Sequence, residues 1–102
     1  MINLEYFKHQ IKDELEGGCD YAKLALEIRG QNANWSKTFH EMGTIELGHA
    51  TNLYKMGEEY YKSITSPYST TPTVMSDTWK CIADEYVTGY TKAKTMLDMY
   101  SK

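Results

Sequence analysis

The strongest constraint on this chain is how little in it breaks a helix. Two prolines occur in 102 residues. The turn-forming residues gather in two places, "RGQNAN" at 29–34 and "SITSPYSTTP" at 63–72. Elsewhere, apolar residues recur at alternating steps of three and four, the spacing that lines one face of an α-helix. The first stretch reads Leu4, Phe7, Ile11, Glu14, Gly18, Tyr21, Ala25, Ile28. The second reads Trp35, Phe39, Met42, Glu46, His49, Leu53, Met56, Tyr60, and the third Met75, Trp79, Ile82, Tyr86, Gly89, Ala93, Met96, Tyr100. The pattern predicts helices over roughly 3–29, 33–63 and 72–101, each about 40–45 Å long at 1.5 Å per residue. Gly30 is placed as the C′ residue of the first helix and Asn32 as the N-cap of the second. Thr71 and Pro72 are placed as N-cap and first residue of the third. Three such segments in a chain of this length predict one all-α domain over residues 1–102, an antiparallel bundle of three long helices.

Composition narrows the function. The net charge is −3 with no basic stripe, which argues against nucleic acid as a partner. No apolar run approaches the ~20 residues of a membrane span, and the first ten residues lack the basic-then-apolar layout of a signal peptide. The two cysteines, Cys19 and Cys81, are far apart and form no CxxC pair. They read as buried, reduced thiols, which places the chain in the cytoplasm. No nucleophile elbow, P-loop or dinucleotide-binding glycine motif is present.

The chemistry lies where the apolar seams fail. Glu14 and Gly18 interrupt the first seam, Glu46 and His49 the second, and Glu85 flanks the third between Ile82 and Gly89. Antiparallel packing of the first two helices would bring Glu14 level with Glu46 and His49. Burying a carboxylate costs several kcal/mol unless it is paired, hydrogen-bonded or bound to a cation. Glu46 and His49, three residues apart, project from the same side of a helix. Glu-x-x-His is also how bundle helices hold iron or manganese, and a cation would offset the desolvation. One such motif is a weak signal in a Glu-rich chain; its place in the seam strengthens it. The candidate metal ligands are therefore Glu14, Glu46, His49 and Glu85, for iron, manganese or zinc. The competing reading is a set of Glu and His side chains bonded to one another around water. Glycines inside the helices, at 17, 18, 43, 48 and 89, fit either room for a metal and a small oxidant or close helix packing. His40 is expected at the surface or in support of the site, His9 in solvent, and Tyr21 and Tyr86 in the core.

"DELEGGCDYAKLALE" followed by "FHEMGTIELGHATNLYKMGEEYY" resembles the first two helices of the rubrerythrin-like branch of the ferritin-like superfamily. In that pattern a ligand Glu is followed seven residues later by Tyr, as Glu14 is by Tyr21, and the next helix carries Glu-x-x-His, as Glu46 and His49 do. The likeness covers about residues 4–63. The ending "LDMYSK" is similar to that of small ferritin-like proteins of Firmicutes and their phages. The resemblance implies a ferritin-like bundle holding iron or manganese, which oxidises Fe(II) or reduces peroxide. A complete di-iron bundle has four helices and two Glu-x-x-His sets, whereas this chain supplies three and one, and it has no rubredoxin-type cysteine pair. The resemblance thus implies a single-metal site, a homo-oligomer in which a second chain completes a di-iron site, or a vestigial site in a helical interaction or adaptor protein.

Overall fold

The computed structural model describes residues 1–101, which form α1 (Leu4–Ile28), α2 (Ala33–Thr65) and α3 (Thr73–Met99). No strand occurs among the described residues. Asn3 and Asn32 cap α1 and α2, each side-chain oxygen accepting from the backbone N–H three residues on, Tyr6 at 2.8 Å and Trp35 at 3.0 Å. The start of α3 is shifted by one residue from the expected cap. Pro72 is its N-cap, and it makes no side-chain capping hydrogen bond. Gly30 follows the Arg29 C-cap, in the C′ position expected for it, but it is not left-handed, because no glycine among the described residues has positive φ. The turn closes instead through Gln31 and Asn32 N–H groups donating to the Ile28 carbonyl, both at 2.9 Å.

Contacts fix the directions of the helices. Phe7 packs on Tyr60, Tyr21 on Phe39, and the Ser36 hydroxyl donates to the Ala25 carbonyl, so α2 runs back along α1. Tyr54 stacks on Tyr86 at 4.2 Å, and His40 stacks on Tyr100 at 4.3 Å, so α3 in turn runs opposite to α2. Leu15 meets Gly89 and the Arg29 guanidinium donates to the Tyr100 carbonyl at 3.2 Å, which makes α1 and α3 parallel neighbours. The core holds Phe7, Ile11, Leu15 and Ala22 of α1, Leu47 and Ala50 of α2, and Ile82, Ala93 and Leu97 of α3. The radius of gyration is 16.3 Å, against about 13 Å for a compact domain of this size. The bundle is a slender rod of 57 × 22 × 15 Å.

The seam of α2 lies elsewhere than the large apolar residues suggest. Its buried residues are Ser36, Gly43, Leu47, Ala50 and Gly57. Trp35 and Met56 of the expected seam are 65% and 51% exposed. Apart from Leu47, the true contact line is made of small residues, which add little hydrophobicity but let backbones approach. An added Cβ on Gly43 would sit 3.2 Å from the Gly18 carbonyl oxygen, so α1 and α2 cross here at near-backbone contact. Glu46 and His49 therefore stand at the edge of the α1–α2 interface rather than in the core. Glu46 is half-buried and His49 exposed.

Candidate metal centre

Three of the four expected ligands converge. One ligand atom each from Glu14, Glu46 and His49 lies within 4.8 Å of the others, the group of three that emerges from the described residues. Antiparallel pairing puts the middle of α1 beside the Glu-x-x-His turn of α2. The i, i+3 spacing then aims Glu46 and His49 at the same spot. His49 Nδ1 stands 3.3 Å from Glu14 Oε2, with the two side chains 54% and 24% exposed. The group thus opens outward on the side of the α1–α2 pair away from α3.

Glu85 is not brought to this group. It sits on α3, which packs against the opposite edge of α1, where Leu15 meets Gly89. There Glu85 is exposed and accepts a hydrogen bond from the Cys81 thiol at 3.6 Å. Counting along one helix gives its distance from that helix's own seam. It does not give which flank of α1 the helix occupies. Cys81 is exposed rather than buried, and Cys19 is half-buried, both as free thiols.

Electrostatics couple the two carboxyls. Glu46 is raised above the ordinary carboxylate value, first by a hydrogen bond with the Glu14 carboxyl, then by burial and by the charge of Glu14, while His49 pulls it down. Two carboxylates this close repel one another, which is why the second is harder to ionise. A divalent cation between them would relieve that repulsion. Two carboxylate oxygens and one imidazole nitrogen suit iron(II), manganese(II) and zinc(II). Gly17 helps keep the place open: a Cβ there would rest 3.4 Å from Glu46 Oε2, covering the carboxylate from the α1 side. The other interior glycines serve different ends. Gly18 and Gly43 permit the helix crossing, Gly89 makes room for Leu15, and Gly48 has nothing within 4 Å of an added Cβ.

The remaining polar residues are accounted for by packing. His40, expected at the surface or supporting the site, is half-buried, and its Nε2 lies 3.0 Å from the Leu97 carbonyl, which ties α2 to the end of α3. Nothing in the sequence signals a bond from a histidine to the carbonyl of a distant helix. His9 is exposed beside Glu5, at 3.7 Å. Tyr21 stacks on Phe39, and Tyr86 stacks on Tyr54 while sharing a 2.8 Å hydrogen bond with Thr51. No protein-family model matches the chain, and no curated protein or solved structure matches it.

Proposed function

We propose that this chain binds a divalent transition metal, iron or manganese, through Glu14, Glu46 and His49, in the manner of ferritin-like and rubrerythrin-like proteins. The observation that carries the reading is the convergence of these three donor atoms within 4.8 Å, from two helices. Glu14 and Glu46 would serve as anionic ligands, and His49 would turn from Glu14 to present a ring nitrogen. The bound ion would supply one-electron redox chemistry toward oxygen or peroxide. The protein's own contribution is to hold the two carboxylates against each other and to keep one side of the site open to solvent and small oxidants.

A second copy of the chain completes the site in this reading. Three protein ligands leave coordination positions free. Trp35, Met42, Leu53 and Met56 share a stripe of α2 with Glu46 and His49, and Trp35 and Met56 lie more than half in solvent. Two α1–α2 pairs joined by such a stripe form a four-helix bundle with four Glu and two His at its centre.

The test is metal content and its linkage to stability. Purified without added metal, the wild type should carry iron, manganese or zinc in stoichiometric amount, and Glu46→Ala should not. Adding Fe(II) anaerobically should raise the melting temperature of the wild type alone, as a ligand of the folded state does. Empty protein whose melting point ignores Fe(II) would sink the proposal. One observation favours a second reading, a helical adaptor with a vestigial site: the Glu14 carboxylate already meets His49 at 3.3 Å without any ion. That reading predicts the same melting temperature with and without metal.

A further inference from the structure

The face opposite the candidate metal centre carries a charge pattern that packing within the chain does not explain. On α1, the ridge Lys8, Lys12, Glu16, Asp20 runs at steps of four along the edge facing α3. Two positive charges a turn apart are followed by two negative ones. Like charges at i, i+4 destabilise a helix, and Lys preceding Glu is the weaker order for a helical ion pair. The one ion pair along the ridge, Lys12 to Glu16, is 3.9 Å long and well over half exposed on both sides. Such a pair contributes little to stability. Across the groove, α3 carries the opposite sequence of charge, Asp84 and Glu85 and then Lys92.

The groove has a volume of about 650 Å³. Its floor is apolar, with Ile11, Leu15 and Ile82 beneath Gly89. Because α1 and α3 are parallel and Leu15 meets Gly89, residue 14 of α1 and residue 88 of α3 stand near the same level.

From this arrangement we infer that the α1–α3 face is an interface to a second copy of this chain, laid antiparallel across it. Consider a two-fold axis crossing α1 at the level of residue 14 and α3 at Thr88. It sets Lys8 against the partner's Asp20 and Lys12 against the partner's Glu16. The same axis sets Glu5 against the partner's Lys23 and Asp84 against the partner's Lys92. Every one of these is a pair of opposite charges, and each occurs twice, as a two-fold interface requires. The like-charged neighbours that repel within one helix become complementary between two, and the apolar floors are covered together. This surface is distinct from the stripe around Glu46 and does not depend on a metal.

Charge exchange tests it, with mass measured by light scattering or sedimentation at low salt. The Lys8→Glu/Lys12→Glu variant should have half the wild-type mass. The four-fold exchange Lys8→Glu/Lys12→Glu/Glu16→Lys/Asp20→Lys, which restores every pair, should recover it. High salt should dissociate the wild-type pair, since screening shortens to ~3 Å at 1 M. Circular dichroism controls for folding. Independently of these variants, Thr88→Cys in a Cys19→Ala/Cys81→Ser background should cross-link through a short bismaleimide. Lys80→Cys in the same background should not, because the two copies of that position lie about 24 Å apart along the axis. Equal mass for wild type and the double variant, no recovery by the four-fold exchange, or equal cross-linking at Thr88 and Lys80 would each overturn the inference.

Discussion

Gly43 and Gly48 are both exchangeable for alanine on helical grounds, yet the structure sets them apart. In a helix interior, Gly→Ala gains up to about 1 kcal/mol from propensity. Neither glycine has positive φ, so the backbone accepts a Cβ at both. At Gly48 the new methyl meets nothing within 4 Å, so Gly48→Ala should stabilise the protein by about 0.5–1 kcal/mol. At Gly43 the Cβ would lie 3.2 Å from the Gly18 carbonyl oxygen, 3.2 Å from Leu97 Cδ2 and 3.3 Å from the Ala22 amide nitrogen. Leu97 can turn aside, but the two backbone atoms move only if α1 and α2 separate. Overpacking of this kind costs about 1–3 kcal/mol, so Gly43→Ala should end about 1–3 kcal/mol below Gly48→Ala. At roughly 4–8 °C per kcal/mol for a domain of this size, the two melting curves should be well resolved. Urea titration, with the slope shared between variants, gives the same difference as a shift in midpoint. Should Gly43→Ala prove as stabilising as Gly48→Ala, the close helix crossing would be refuted.

Three further outcomes follow from the packing and the electrostatics. Glu46 binds its proton more tightly in the folded chain than in the unfolded one. Its contribution is therefore fully present below the usual carboxylate range and is lost as pH rises through the raised folded value. Metal-stripped wild type should lose stability over that rise and Glu46→Gln should not; parallel pH profiles would dismiss the upward shift of Glu46. Ser36 is fully buried and donates its hydroxyl to the Ala25 carbonyl, so Ser36→Ala should cost about 1 kcal/mol in chemical denaturation, and no loss would mean the bond is idle. Ile11, 2% exposed at the centre of the core, should cost about 2–5 kcal/mol as Ile11→Ala, and a loss below 1 kcal/mol would place the core elsewhere.

Helix number, order and the Asn32 cap could be read from the residues because each depends on local chemistry. The rest depended on how helices meet. In α2 the large residues Trp35, Met42 and Met56 outweigh the small residues Ser36, Gly43, Ala50 and Gly57 in any count of hydrophobicity, yet these small residues, with Leu47, form the buried line. Each helix here faces two neighbours, so its buried arc is wider than a two-helix seam and is centred between them. The convergence of Glu14, Glu46 and His49 was visible because antiparallel pairing fixes which residues share a level. Glu85 was misplaced because level alone does not fix side. Gly30 follows the usual terminator in identity but not in conformation, since two N–H groups donating to the Ile28 carbonyl already close the turn.

The rod shape, 57 Å long and 15 Å thick, has a consequence for how this protein behaves in motion. A body so drawn out meets more friction than a sphere of equal mass and turns more slowly end over end than about its long axis. On a gel-filtration column it will elute early, and a single chain of 11.8 kDa will pass for something heavier. Amide groups along the helices, whose N–H bonds lie near the long axis, will relax as though the protein were large. Retention volume is thus a measure of form here, and mass must come from scattering or sedimentation equilibrium.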